Sequence, residues 1–166
     1  MRLITPVIAL AFAFTLAACA SNDPKTPKEP VKLDLSVMAS AQVNPDDQKR
    51  AAPIVVRVYE LKTDGVFNSA DFYSLQDKDK TVLADDLVTR EQFQLRPGEH
   101  KTIRTRADPA TTAIGVLAAY RDLPNSVWRA VYPLPTAPDA AWYRLAPKLK
   151  LTIDLDANAI KVTETK

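Results

Sequence analysis

A chain of 166 residues, 46% hydrophobic and 25% charged, carries enough apolar material for one globular domain with a sizeable core. Its formal net charge of +2 gives no global field to steer nucleic acid, and one cysteine with one histidine all but excludes a protein-built zinc or iron–sulfur site. Gly 3 against Pro 13 leaves little for phosphate-cradling loops and much for strand ends and turns.

The chain opens on Arg2, an apolar run from Leu3 to Ala18, and Leu16-Ala17-Ala18-Cys19. A positive start, an apolar core and small residues before the cut are the layout of a secretory signal peptide over residues 1–18. The run is short against the roughly 20 residues that span a bilayer. A cysteine directly after Leu-Ala-Ala resembles a lipobox, so Cys19 is expected to be the lipidated first residue of the mature chain. Residues 19–30, with Pro24, Pro27 and Pro30, are too polar and proline-rich to pack a core. They read as a flexible tether reaching about 30 Å. Ala20 stands where enterobacterial sorting retains lipoproteins that carry Asp, which points to the outer membrane.

Residues 31–166 are expected to form the folded domain. Val31, Leu33, Leu35 and Val37 alternate with Lys32, Asp34 and Ser36, the period of a half-buried strand. Ser40–Ala52 breaks the pattern around Asn44-Pro45-Asp46-Asp47, a strong turn signal. Pro53–Lys62 is β-branched and apolar on both faces until Arg57 and Glu60, which suits a sheet interior.

Between about 66 and 88 the character becomes helical. Asn68 or Ser69 can cap a helix carrying Phe72, Tyr73 and Leu75, with Asp71 in its first turn. Asp77-Lys78-Asp79-Lys80 reads as a charged break before a second helical turn with Val82, Leu83 and Leu87. Phe67, Phe72 and Tyr73 are expected to pack this insertion onto the sheet. Strands follow over Thr89–Leu95, Lys101–Arg106, Thr112–Tyr120 and Val127–Leu134, with Pro97-Gly98 fitting the centre of a type II turn. Pro135–Pro147 is a loop, and Lys148–Asp156 with Ile160–Thr163 makes a terminal hairpin. About eight short strands predict an all-β two-sheet sandwich with a small helical annex.

From Val56-Arg57-Val58-Tyr59-Glu60-Leu61 onward the chain resembles the TssJ (SciN) lipoproteins of type VI secretion. The likeness runs through Phe67-Asn68-Ser69-Ala70-Asp71-Phe72, Asp85-Asp86-Leu87, Leu95-Arg96-Pro97-Gly98, Ile114-Gly115-Val116, Ala118-Ala119-Tyr120-Arg121-Asp122 and Trp128-Arg129-Ala130. The resemblance implies a transthyretin-like β-sandwich on the periplasmic face of the outer membrane. It also implies a place in the membrane complex with TssM and TssL, through the periplasmic C-terminal domain of TssM. In that family the loop between the first two strands is the main contact. Here that loop is Ser40–Ala52, and the resemblance singles out Val43, Asn44, Pro45, Asp46, Asp47, Gln48, Lys49 and Arg50.

No catalytic constellation emerges, so the chain is not expected to be an enzyme, and no cofactor beyond the lipid on Cys19 is expected. His100 stands in a charged hairpin, and neither Ser74 nor Ser126 has a Gly-x-Ser-x-Gly context. Arg90, Arg96, Lys101, Arg104 and Arg106 suggest a basic stripe on one hairpin face, solvated by default. A second reading stays open. It is a periplasmic small-molecule-binding lipoprotein, with Phe67, Phe72, Trp128 and Trp142 around a pocket.

Overall fold

The computed structural model describes residues 28–140 and 145–165; the expected signal peptide, Cys19, most of the expected tether, and Trp142 lie outside the described residues. Eight strands make two four-stranded sheets. β1 (Lys32–Ala39), β4 (His100–Arg106), β7 (Lys148–Leu155) and β8 (Ile160–Glu164) form one in the order β4-β1-β7-β8. β2 (Ile54–Leu61), β3 (Leu87–Leu95), β5 (Ala113–Ala118) and β6 (Arg129–Pro133) form the other in the order β3-β2-β5-β6. Every pairing between these strands is antiparallel except β1 with β7, which run side by side from Lys32↔Lys148 to Ala39↔Leu155.

The alternation in β1 does what its period requires: Val31, Leu33, Leu35 and Val37 are buried between the sheets. They meet Ile54, Val56 and Val58 of β2, Ile114 and Val116 of β5, and Leu151 and Ile153 of β7. β2 and β5 lack clean alternation because both of their faces are covered. Their outer face carries a second apolar cluster of Tyr59, Leu61, Phe67, Phe72, Leu75, Leu83 and Leu117 beneath the helical insertion.

That insertion consists of α1 (Gly65–Ser69) and α2 (Phe72–Leu83), closed by a 3-10 turn over Ala84–Asp86. The cap of α2 is Asp71, whose side chain accepts the Ser74 amide; Asn68 and Ser69 belong to α1 instead. Phe67 is fully buried on the sheet because β5 carries Gly115 beneath it. A Cβ there would meet Leu61 Cδ1 at 3.0 Å and the Phe67 ring at 3.1 Å. Tyr73 departs from expectation: it is 65% exposed, and its ring meets that of Phe72 edge-on.

The expected charged break is a kink at Lys78, whose φ of −136 is not helical. It frees the carbonyls of Leu75 and Gln76, which accept from the Arg57 guanidinium at 2.9 and 2.7 Å. Asp79 is buried there. Its carboxylate accepts from Arg57, Arg90, the Tyr59 hydroxyl and the Lys80 amide. One carboxylate and two arginines thus rivet the broken helix to the sheet.

Pro97-Gly98 makes the expected turn, with Gly98 at φ 78 and the Glu99 amide donating to Arg96 O. It joins strands of different sheets, however, so β3 and β4 share no hairpin face. Arg90 turns to Asp79, Lys101 to Glu91, and only Arg104 and Arg106 remain together on the solvent side of β4. The expected basic stripe is therefore split between the two sheets.

Candidate functional site: the loop end of the sandwich

The β1–β2 loop folds around two side chains. Asn44, 4% exposed and at φ 52, donates through Nδ2 to Pro53 O at 2.8 Å and accepts the Arg121 amide at 2.8 Å. Its own amide donates to Ala157 O at 3.0 Å. Asparagine tolerates a positive φ better than most residues, and here it also ties three connections together. Val43 is fully buried beside it.

Asp46 organises the tip. Its carboxylate accepts the amides of Gln48 and Arg50 at 2.9 Å each and pairs with the Arg50 guanidinium at 2.7 Å. The Asp46 amide donates back to Arg50 O, and the Lys49 amide to Asp46 O. The Arg50 side chain and these amides hold the Asp46 carboxyl below its ordinary aspartate value. Lys49 closes the turn at φ 61. Pro45 and Asp46 are half-buried, while Asp47, Gln48, Lys49 and Arg50 are exposed.

The loop stands over a cleft of about 520 Å³. Gln42, Pro45, Asp47 and Lys49 line one side, Tyr120 and Asp122 follow β5 on another, and Ala157 and Asn158 come from the β7–β8 turn. Tyr120 is buried and donates to Ala159 O at 2.8 Å, fixing that turn. Burial, then the charge of Asp156, keeps its phenol protonated far above the usual range. The cleft is polar, and none of Phe67, Phe72 or Trp128 lines it. Phe72 instead stacks edge-on against Trp128 at 5.3 Å as part of the insertion's core.

The eight residues singled out in the sequence divide by burial. Val43 and Asn44 face inward and set the frame, whereas Asp47 to Arg50 present the surface. The cleft's other walls, Tyr120, Asp122, Ala157 and Asn158, went unforeseen, because they come from segments distant in sequence. A tyrosine closing the most apolar strand was the one available signal. Among the described residues no cluster of His, Cys, Asp and Glu could hold a metal ion. None of their helices is long and apolar enough to cross a membrane.

Fold and loop together define a two-sheet β-sandwich with a helical insertion on one outer face and a structured loop at one end. Residues 31–158 match the model of type VI secretion lipoproteins, described by the names VasD, EvfM and TssJ, and the chain belongs to that family. The type VI secretion lipoprotein TssJ1 of Pseudomonas aeruginosa is similar at 36% identity and TM-score 0.74, over 82% of this chain and 98% of that one. Lip of Serratia marcescens, a membrane-bound component of the type VI secretion system, is similar at 31% and 0.71, over 82% and 99%. A chain of a type VI membrane complex shares the fold at 24% and 0.65, over 84% and 100%. No curated protein sequence matches the chain.

Proposed function

We propose that this lipoprotein connects the outer membrane to the type VI membrane complex. In this reading residues 1–18 are removed as a signal peptide, Cys19 is acylated, and residues 19–30 tether the domain on the periplasmic face. The exposed turn Asp47–Arg50 docks the periplasmic C-terminal domain of TssM, and through it the TssM–TssL assembly. The role is one of position and attachment, with no chemical turnover.

The observation that supports it most is the order built into the loop. Asn44 and Asp46 use buried or paired side chains to hold four exposed residues in one conformation. A loop already ordered loses less entropy on docking than a floppy one. The test is calorimetry of the mature chain with Cys19→Ser against the TssM periplasmic domain. It is compared with Asp47→Ala/Gln48→Ala/Lys49→Gly, which spares Asn44 and Asp46 and suits the positive φ at 49. Saturable binding lost in the variant is expected. Binding unchanged in the variant would move the site elsewhere.

A further inference from the structure

Among the described residues no helix covers the outer face of the sheet β4-β1-β7-β8, and one corner of that face is strongly basic. Lys32 opens β1, Arg106 ends β4 and Lys148 opens β7, and the register sets them in one row across the sheet, Arg106↔Lys32↔Lys148. The next outward row is Arg104, Asp34 and Lys150. All five cations are exposed. Asp34 is the only carboxylate in these two rows and is already engaged, by Lys148 at 2.9 Å and Arg104 at 3.5 Å. Among the described residues neither Lys32 nor Arg106 has an ion-pair partner.

Like charges directly opposite on neighbouring strands destabilise a sheet. A row of three cations therefore works against the domain that carries it, and among the described residues only Lys148 is offset, by Asp34, while Lys32 and Arg106 are not. A shallow hollow of about 490 Å³ opens between Lys32, Asp34, Arg104, Arg106 and Lys148. The shape and charge suit an array of phosphates, to which lysine offers a point charge and arginine a planar fork.

The corner also lies where the chain comes in. The Glu29 amide donates to Pro138 O and the Lys32 amide to Pro147 O, so the segment leading back to Cys19 leaves the domain beside these cations. The β1–β2 loop is at the far end of the eight-residue β1, about 25 Å away. The two surfaces do not compete.

We propose that this corner docks on the phosphate headgroups of an anionic membrane leaflet, so that the domain stands on the membrane with its β1–β2 loop pointing away. The inference takes its direction from the proposed anchor at Cys19. Its test uses an unlipidated chain, so the two fail separately; acylation is read from the mass of the mature protein.

Residues 19–166 with Cys19→Ser keep every described element and are floated with vesicles of phosphatidylcholine, with or without phosphatidylglycerol. Partition that requires phosphatidylglycerol and weakens with salt is expected. Lys32→Ala/Arg106→Ala should weaken it on the order of tenfold or more. Lys78→Ala/Lys80→Ala removes the same charge from the exposed side of α2 and should change it little. The Lys32/Arg106 variant should melt no lower than the parent, because it relieves a repulsion. No dependence on phosphatidylglycerol, or equal losses from the two pairs, would overturn the proposal. So would binding to poly-aspartate without binding to vesicles, which would give the face to an acidic protein instead.

Discussion

Asn44 and Arg121 are 77 residues apart in the chain, yet the side-chain oxygen of the first accepts the backbone amide of the second at 2.8 Å. This bond joins the β1–β2 loop to the connection that follows β5, and so fixes two walls of the cleft relative to each other. Replacing Asn44 by alanine removes it together with the bond to Pro53 O, at a position that is itself buried. At about 1 kcal/mol for each bond and a further cost for a positive φ, a loss of about 2–3 kcal/mol is expected in urea unfolding. Asn44→Gly keeps the backbone conformation and should lose less.

Asp46 governs the tip in a different way, through an exposed ion pair and two backbone amides. Because its carboxyl titrates below the ordinary aspartate value, the ordered turn persists above that value and is lost as pH falls through the depressed one. The amide resonances of Gln48 and Arg50 should report this directly, shifting together with a midpoint below 3.8. In Asp46→Ala both should lose that titration, and if the proposed docking holds, affinity for the TssM periplasmic domain should fall with them.

The rivet under the insertion should dominate stability. Asp79→Asn leaves the mostly buried guanidinium of Arg57 and that of Arg90 without their counter-ion, for which about 3 kcal/mol is expected at neutral pH. Burial alone would raise the Asp79 carboxyl, but the hydrogen bond and charge of Arg90, with the Lys80 amide and Tyr59 hydroxyl, hold it low. Burial, foremost, pushes the Tyr59 phenol up to about 12, so it stays a donor. The stability that Asp79 supplies is complete above the unfolded aspartate value near 3.9 and disappears as pH falls through the folded one. Thermal melts of parent and Asp79→Asn should therefore converge in acid.

Gly115→Ala tests how the insertion is seated. The new methyl would be 3.0–3.1 Å from Leu61 and Phe67, closer than carbon atoms pack without a shift. Overpacking of this kind costs about 1–3 kcal/mol. The change should lower the melting temperature while leaving the outer face of the other sheet unaltered.

Individual strands were legible wherever one face meets water, as in β1 and β7, because a period of two follows from burial on one side. β2 and β5 were legible as interior strands because apolar residues on both faces demand cover on both. What the chain does not spell out is which sheet a strand joins. The turn at Pro97-Gly98 looks the same whether β3 and β4 pair or part, so the arginines of that region appeared to share a face they do not share. Asp79 was hidden by its neighbours, since a run of alternating charges reads as solvated. An arginine at position 57, set among Val55, Val56 and Val58, was the clue that a carboxylate from elsewhere comes to meet it. In the loop, Asn44 and Asp46 stood out as turn formers, but the cleft beside them depends on contacts that only the tertiary structure brings together.

The parallel pairing of β1 with β7 has a mechanical consequence. β1 lies between two neighbours, and its hydrogen bonds to β4 and β7 run across the direction from the corner at Lys32 to the loop. A pull between a lipid at one end and a partner at the other would load those bonds together, in shear, where peeling would break them one after another. The strand order thus suits a domain that holds tension along its long axis.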